Sequence, residues 1–550
     1  MDFNVNVSAD ASKWGDILAH TWNYAGYDEC NYTHSPGGME LINKLGKLEK
    51  PYYIRAHHML CTGNKHGFYK WGSTNAYLED GDGVPIYDFS LIERMCDIWL
   101  ANNCKPFFEI GFMPMHLADM GGVEKQSGND MAEYRRIGWS RPPKDYDRWY
   151  ELIRKMVGRL VDRYGAEEVE TWYFEMWNEP DIFYWTGTHS EFCKLFDYTE
   201  AAVHEALPSA RFGGPSVCGA MNPEDRAAVF LRKFLEHTSA GVNHKSGAVG
   251  TRLDFTSFHT KGGAFPATTG KKQAKPPSVK NFLQQIKTGA EVIKACGYGN
   301  LECVLSEADP DGWAAGGRFD NPALNFRNTE YYASYVASAY KNAYDLAKTL
   351  EMDVRPLAWA FMFEGERCFE GTRTFSTQGI DKAMFNVFRV FAKLGGQLIE
   401  LSSDRDADPL TYPDPHGEGL GAEIDGWATI TGTKSVEAMI YCHEDSWDCP
   451  DVYKIHFTAL NLPFDGPCRI AHYRVDGTHS NAYAEWRRQG MPDYPAGGQY
   501  DAIKARDGLE LYGPAVTSTP RDGRIDMVFD MPVNGVSLIK IENSGQTASP

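Results

Sequence analysis

Two glutamates in the sequence each follow a short apolar run, in a position where a carboxyl group could do chemistry. Glu179 lies in 177–180 (WNEP) and Glu307 lies in 306–309 (SEAD). Pro180 prevents regular strand pairing from continuing, which leaves Glu179 at the end of its run. Two carboxyl groups that face each other across a pocket suit cleavage of a glycosidic bond. One of them protonates the leaving oxygen, while the other, ionised, attacks or stabilises the anomeric carbon.

The runs that contain these glutamates belong to a regular alternation that begins near residue 15. Short β-rich runs alternate with longer segments of helical periodicity as far as residue 397. Within 145–164, apolar residues recur at i, i+3, i+4, i+7 spacing, with Asp145 as the predicted N-cap and Gly165 as the predicted end. The predicted strands are 16–23, 52–58, 105–112, 171–178, 211–218, 254–260, 301–307 and 356–363.

Eight strand–helix units in one stretch predict an α/β fold, a (β/α)8 TIM barrel over residues 15–397. In such a barrel the chemistry takes place at the C-terminal ends of the strands. The fourth and seventh strands lie on opposite sides of the ring, so we expect Glu179 and Glu307 to face each other. A single buried Glu is more often a salt-bridged structural residue, but this pair, with Asn178 beside one member, favours catalysis.

After residue 397 the pattern changes to short β-rich runs separated by Pro, Gly and Asp turns. This pattern predicts a C-terminal β-sandwich over 398–550. Residues 3–8 alternate like a strand before the barrel begins, so we assign residues 1–14 to the sandwich, which makes that domain discontinuous in sequence.

Histidines and aromatic residues at the predicted strand ends are candidates for binding a substrate. His57 and His259 close the second and sixth strands, and Trp359 lies in the eighth. A histidine in a strand is otherwise more often a satisfied core residue, and a Trp on a barrel strand is equally often core filler. Phe112 and Trp71 are weaker aromatic candidates for the same pocket.

Composition excludes several classes of function. The 550 residues are 43% hydrophobic and carry a formal net charge of −19, which disfavours nucleic acid and anionic membranes as partners. No stretch is long and apolar enough for a membrane span, and the N-terminus lacks a signal-peptide pattern, so a cytoplasmic protein is expected. The cysteines form no C-x-x-C pair, and no close-spaced His and carboxylate motif predicts a metal. We expect no cofactor.

At the level of motifs, the sequence resembles glycoside hydrolase family 39, the family of β-xylosidases and α-L-iduronidase. The resemblance covers the whole barrel in order and extends into the tail at 472–476 (HYRVD) and 479–483 (HSNAY), which are similar to the longer bacterial β-xylosidase branch. The barrel motifs that carry it are 53–57 (YIRAH), 111–114 (GFMP), 142–146 (PPKDY), 163–165 (RYG), 172–180 (WYFEMWNEP), 213–215 (GGP), 258–259 (FH), 306–307 (SE) and 359–361 (WAF).

The resemblance implies roles for individual residues. By position, Glu179 would be the general acid/base and Glu307 the nucleophile of a retaining mechanism. Asn178 would hydrogen-bond the sugar 2-hydroxyl, and His57 and His259 match positions that line the sugar subsite.

Within the resemblance, the preferred sugar stays open. The leading prediction is a retaining exo-glycosidase, a β-D-xylosidase that releases xylose from the non-reducing ends of short xylo-oligosaccharides. An α-L-iduronidase would need several cations around the pocket. Lys261 resembles that branch, but 381–382 (DK) shows an acid where an Arg is expected, so the cationic set looks incomplete. An α-L-arabinosidase is a further alternative, and a non-catalytic sugar-binding barrel is disfavoured because both glutamates are present. The expected partner is a small oligosaccharide, and whether the chain forms a homo-oligomer stays open.

Overall fold

The structure is a computed structural model that describes residues 3–62, 73–121, 137–263, 276–312, 317–411 and 421–546. Its strands, in chain order, are β1 (Asn4–Ile17), β2 (Tyr24–Tyr27), β3 (Tyr52–Ala56), β4 (Tyr77–Glu79), β5 (Pro85–Tyr87), β6 (Cys104–Ile110), β7 (Tyr173–Met176), β8 (Arg211–Val217), β9 (Phe255–Gly263), β10 (Cys303–Asp311), β11 (Val354–Pro356), β12 (Ala358–Trp359), β13 (Ser376–Thr377), β14 (Ile380–Asp381), β15 (Gln397–Ser403), β16 (Glu423–Thr431), β17 (Ser435–His443), β18 (Val452–Leu460), β19 (Cys468–Val475), β20 (Glu510–Leu511), β21 (Val516–Ser518), β22 (Ile525–Pro532) and β23 (Gly535–Asn543).

Most of the described α-helices lie between successive barrel strands, and the last two follow β19 in the second domain. They are α1 (Pro36–Leu48), α2 (Ser90–Ala101), α3 (Tyr146–Tyr164), α4 (Ala166–Val169), α5 (His189–Ala206), α6 (Arg226–Ala240), α7 (Val279–Ala295), α8 (Glu330–Thr349), α9 (Ala383–Phe391), α10 (Ala482–Arg488) and α11 (Gly498–Lys504). Among these helices, none combines the length and the apolar character that crossing a membrane would require.

A parallel sheet forms the predicted barrel. Its strand order is β11-β10-β9-β8-β7-β6-β3-β2-β12, and β11 and β12 are two halves of one strand interrupted at Leu357. Because β11 pairs with β10 and β12 pairs with β2, the eighth strand closes the ring. The predicted fold class is therefore confirmed. The interior is filled mainly by aromatic side chains, so the barrel is a packed core: Tyr24, Phe107, Tyr173, Phe255, Val304, Leu357 and Trp359.

One predicted barrel strand is wrong. The first is not 16–23 but β2, because β1 continues as far as Ile17 in the other sheet, where Ile17 pairs with Gln397. The other seven predicted strands coincide with β3, β6, β7, β8, β9, β10 and the pair β11–β12.

Helix α3 shows how local sequence sets the boundaries of a barrel helix. The Asp145 side chain accepts hydrogen bonds from the backbone N–H groups of Asp147 and Arg148, as predicted for an N-cap. The helix ends at Gly165, whose φ of +86° turns the chain out of the helical path. Glycine adopts this conformation readily, whereas residues with a side chain rarely do. The face that the spacing predicts to be apolar is buried: Trp149, Leu152, Ile153, Met156, Val157 and Leu160.

The second domain is built from one ten-stranded sheet with the order β20-β19-β23-β17-β16-β15-β1-β18-β22, with β21 also pairing with β19. β1 pairs antiparallel with β15 and parallel with β18, so the N-terminal strand joins this sheet. The two halves of the sheet cover a common apolar core. Opposite edges also meet, since the rings of His472 on β19 and Phe529 on β22 lie 4.6 Å apart. The sandwich is therefore a single sheet folded over its own core.

A buried polar network joins the barrel to the second sheet. On α8, Ser338 Oγ and Asn342 Nδ2 donate to the Glu423 carboxylate at 2.9 and 3.0 Å. Tyr441 on β17 donates its hydroxyl to the same carboxylate at 2.9 Å. Burial raises the pKa of Glu423, and these donors oppose the shift by stabilising its charge. The network ties α8 to the sheet because the buried Glu423 carboxylate depends on donors from both.

We predict that Tyr441→Phe lowers the free energy of unfolding by about 1–2 kcal/mol, because the buried Glu423 carboxylate loses a donor. Thermal or denaturant unfolding followed by circular dichroism measures the change. Tyr494→Phe removes a hydroxyl from a side chain that is 66% exposed and is the matched control. Equal stability of the two variants would contradict the structural weight given to this network.

Candidate active site

Glu179 lies just past the C-terminal end of β7, where the chain leaves the sheet in an unusual conformation. Trp177 has φ +66° and Glu179 has φ +43°, both in the left-handed region that non-glycine residues seldom occupy. Two backbone hydrogen bonds hold this turn, from Trp177 N to Ile110 O at 3.1 Å and from Glu179 N to Ser216 O at 2.8 Å. The turn is thus tied to both neighbouring strands, which directs the Glu179 side chain into the barrel mouth.

Glu307 lies within β10, where the strand is irregular. The pairing of β10 with β9 shifts register between Leu305 and Glu307, so one extra residue is accommodated at that point. Such bulges re-aim side chains, and here the bulge is next to the carboxylate. The Ser306 hydroxyl lies 3.1 Å from the Ser216 hydroxyl of β8, which anchors the irregular segment.

His259 on β9 connects the two glutamates. Its Nδ1 lies 2.9 Å from Glu179 Oε1 and 3.8 Å from Glu307 Oε2. Its Nε2 lies 3.0 Å from Ser216 Oγ, which fixes the orientation of the ring. The structure thus brings together three residues that sequence reasoning placed at the ends of different strands.

Four cationic or ionisable groups surround the Glu307 carboxylate. Lys261 Nζ lies 2.7 Å from Oε2, Arg373 3.4 Å from Oε2, Arg55 3.6 Å from Oε1 and His57 Nε2 3.5 Å from Oε1. Burial alone would raise the pKa of Glu307, but the charges of Lys261 and other neighbours outweigh it and hold the pKa well below its usual value. Glu307 is therefore ionised, as a nucleophile must be.

Glu179 differs from the expectation for a general acid. Because Glu307 carries a negative charge close to Glu179, the sequence predicts that the pKa of Glu179 is raised, and burial of Glu179 acts in the same direction. The hydrogen bond and charge of His259 outweigh burial, however, so the pKa of Glu179 lies below its usual value. The expectation is wrong for the site without substrate because the contact with His259 could not be read from the sequence.

A buried ion cluster under the pocket was missed by sequence reasoning. Arg55, fully buried, contacts Glu175 at 2.6 Å and Glu109 at 2.8 Å. The same Glu109 carboxylate is 2.6 Å from His57 Nδ1. Burial would lower the pKa of His57, but the charge and hydrogen bond of Glu109 raise it to about 9. The available signal was that Arg55, Glu109 and Glu175 each interrupt an otherwise apolar predicted strand.

Arg373 and Asp309 were also missed, and they change the view of the cationic set. Arg373 contacts Asp309 Oδ2 at 2.9 Å, and Lys261 Nζ contacts the same atom at 3.2 Å. The expectation of an incomplete cationic set, drawn from Asp381 and Lys382, did not include Arg373, which joins Lys261 beside Glu307 and Asp309. Lys382 instead donates to Gly371 O at 2.5 Å, which supports the loop that carries Arg373.

The second domain holds the segment that presents Arg373. Residues 366–381 contain only the two-residue strands β13 and β14. Phe369 packs against Trp486 of α10 with ring centroids 5.1 Å apart, and Cys368 N donates to Asp493 O at 2.8 Å. Tyr500 of α11 donates its hydroxyl to Gln378 O at 3.0 Å. The segment 476–512, which contains α10 and α11, therefore braces a wall of the pocket.

The remaining candidate residues are placed as follows. The Asn178 side-chain oxygen accepts from Arg55 at 3.2 Å. Trp359 belongs to the barrel interior, yet its ring lies 4.6 Å from that of His57, and it lines a cavity with Asp28 and Arg373. Phe112 is fully buried, with its ring 5.8 Å from His57. Trp71 lies outside the described residues. Contact of any of these side chains with a sugar stays a prediction.

The sequence is similar to those of known glycosidases. The chain is 28% identical over 508 residues to a β-xylosidase of Geobacillus stearothermophilus, which covers 89% of this chain and 86% of that protein. It is 33% identical over 467 residues to the human α-L-iduronidase, which covers 80% of this chain and 64% of that protein.

Solved structures share the fold across both domains. A monomeric β-xylosidase from Caulobacter crescentus superposes with a TM-score of 0.74 at 20% identity, covering 98% of this chain and 99% of that one. A bacterial orthologue of human α-L-iduronidase gives a TM-score of 0.75 at 19% identity, covering 99% of this chain and 85% of that one. The family model described as glycosyl hydrolases family 39 matches residues 7–524. The chain therefore belongs to glycosyl hydrolase family 39.

Proposed function

We propose that this glycosidase is a retaining exo-enzyme whose leading substrate is a terminal β-D-xyloside of short xylo-oligosaccharides. The observation that carries the retaining mechanism is the shared contact with His259, whose Nδ1 is 2.9 Å from Glu179 and 3.8 Å from Glu307. Carboxylates that approach one nitrogen this closely fit the separation of about 5–5.5 Å of retaining enzymes better than the larger spacing, about 6.5–9.5 Å, of inverting ones.

The proposed reaction proceeds in two displacements. Glu307 attacks the anomeric carbon, while Glu179 donates a proton to the departing glycosidic oxygen, leaving an ester between the sugar and Glu307. Glu179, now ionised, takes a proton from water as that water attacks the same carbon and the ester bond breaks. Both carboxyl groups return to their starting states.

The first step needs a protonated Glu179, whereas His259 favours its ionised form. Substrate that enters the pocket and contacts Glu179 removes water and adds a hydrogen-bond acceptor, both of which favour the protonated acid. Asn178 supports the transition state. Arg55 donates a hydrogen bond to the Asn178 side-chain oxygen and so fixes the orientation of the amide. The amide nitrogen would then donate to the sugar 2-hydroxyl.

Charge balance in the pocket supports a neutral sugar. Lys261 and Arg373 already share the carboxylates of Glu307 and Asp309. Arg55 is compensated by Glu109 and Glu175 in the same way. A substrate carboxylate would therefore enter a site whose positive charges are already paired, at the cost of repulsion from the same acids. The likeness to bacterial β-xylosidases agrees with this conclusion.

A glycosidase acting on α-L-iduronides is the second candidate. The observation that favours it is the pair of cations, Lys261 and Arg373, that meet at Asp309 beside the nucleophile. A sugar carboxylate that displaced one of these contacts would be bound by both cations at once. The likeness to the human α-L-iduronidase points in the same direction.

Replacing the nucleophile tests the mechanism. Glu307→Ala should lower turnover by about 10⁴-fold or more, because no covalent intermediate forms. Added azide should restore part of the activity by attacking from the vacated side, and the product is the glycosyl azide of inverted configuration, identified by NMR. Glu400→Ala, a change at an exposed residue of β15, is the control. Full activity of Glu307→Ala would remove Glu307 from the mechanism.

The role of His259 is tested by the pH profile of kcat/KM. The profile should be bell-shaped, with Glu307 setting the acidic limb and Glu179 the alkaline limb as a coupled pair. His259 lowers the pKa of Glu179, so His259→Gln, which replaces the imidazole with a neutral amide, should move the alkaline limb to higher pH. The acidic limb should move the same way by less, because His259 lies farther from Glu307. An unchanged alkaline limb would contradict the assignment of Glu179 as the acid.

Paired substrates separate the two candidate functions. We expect 4-nitrophenyl β-D-xyloside to be cleaved much faster than an α-L-iduronide, and Arg373→Gln to reduce both rates without reversing the preference. An α-L-arabinopyranoside should also be cleaved, since one misplaced hydroxyl costs about 1–3 kcal/mol. Faster cleavage of the iduronide, lost selectively in Arg373→Gln and Lys261→Met, would replace the xylosidase assignment with the second candidate.

A further inference from the structure

A second cluster of ionisable side chains lies among the helices outside the barrel strands. Asp197 is on α5, His237 is near the end of α6, and His244 is in the connection from α6 to β9. His237 Nε2 lies 3.0 and 3.1 Å from the two Asp197 carboxylate oxygens. One ligand-type atom from each residue lies within 4.8 Å of the other two. Three separate segments of the chain thus converge on one point.

The Asp197 carboxylate is held firmly in place. The side chain is fully buried, and Thr251 donates its hydroxyl to Oδ1 at 2.6 Å. The backbone N–H of His244 donates to Oδ2 at 2.7 Å, which also fixes the position of the His244 residue. Hydrogen bonds of this kind, made by groups around a ligand, orient the carboxylates and imidazoles that bind metal ions.

The partner of this carboxylate is an imidazole. Within the described residues, Asp197 makes an ion pair with His237. A divalent cation at this point would place positive charge beside the buried carboxylate and would be bound by unprotonated ring nitrogens.

We propose that Asp197, His237 and His244 bind a divalent transition-metal ion of the Zn²⁺ class. Two imidazoles and one carboxylate are a ligand set that Zn²⁺ accepts, whereas Ca²⁺ and Mg²⁺ prefer oxygen ligands throughout. The His237 and His244 rings are stacked, with centroids 5.6 Å apart and planes inclined by 19°, so an ion would be bound by their ring nitrogens at the edge of the stack beside Asp197. His244 is exposed, so the ion has a path from solvent, and water completes the coordination.

The position of the cluster indicates a structural role. The connection that carries His244 leads into the N-terminal end of β9, and barrels use that end for stability rather than for chemistry. An ion bound there would join α5, α6 and the connection 241–254, and it would stabilise the folded chain by mass action. Hydrolysis should proceed with or without it.

Metal binding to the full chain tests the proposal. We expect chelator-treated protein to take up one equivalent of Zn²⁺ in a calorimetric titration and its Tm to rise by at least about 2 °C. His244→Gln, a change at an exposed residue, should weaken the affinity at least 10-fold and abolish the Tm shift. Co²⁺ should show the visible absorption of a tetrahedral site in the parent chain and lose it in the variant. Turnover of a xyloside should be unchanged in both.

A matched control excludes binding elsewhere. His456→Gln alters a histidine of β18 that faces Asn4 and should leave the uptake of Zn²⁺ unchanged. If the parent chain retains no Zn²⁺, or if His244→Gln and His237→Gln bind it as tightly as the parent, the cluster is a hydrogen-bond network alone and the proposal fails. This outcome is independent of the substrate, because it is read without any assay of hydrolysis.

Discussion

The stable negative charge of Glu307 is the interaction on which the site depends. A carboxylate buried at the mouth of a barrel would normally be protonated, because low polarity disfavours charge. Here cations approach it from β3, from β9 and from the loop after β12, so no single segment supplies the compensation. Only a closed ring brings these segments together, and the ionised state of Glu307 therefore depends on the complete barrel.

The compensating cations need partners in turn. Arg55 is buried and would be unstable without Glu109 and Glu175. Glu109 lies on β6, the neighbour of β3 in the sheet, and Glu175 lies on β7, the strand beyond β6. Removal of one member of such a cluster leaves an unpaired buried charge, which costs about 3–5 kcal/mol. Arg55 thus links the buried acids Glu109 and Glu175 to Glu307. A substitution of either buried acid therefore changes both the stability of the fold and the pKa of Glu307.

The sequence allowed the barrel and the two glutamates to be predicted because both depend on local order. Apolar runs of strand length and a Pro after Glu179 are visible without a structure, and strand number then places Glu179 opposite Glu307. The predicted start of the barrel was wrong because the sequence of β1 alternates as a strand of either sheet would. Only the pairing of Ile17 with Gln397 shows which sheet β1 joins. Arg373 was missed for the same reason: it lies in a loop whose path is set by distant contacts.

Those contacts make the second domain part of the active site. After β12 the chain has little regular structure until α9, so the backbone there cannot hold Arg373 by itself. Its position comes from the packing of Phe369 on Trp486 and from hydrogen bonds to Asp493 and Tyr500. The same domain is fixed to α8 through Glu423. Because Arg373 helps to keep Glu307 ionised, the charge of the candidate site depends on the interface between the sheet domain and the barrel as much as on the barrel strands.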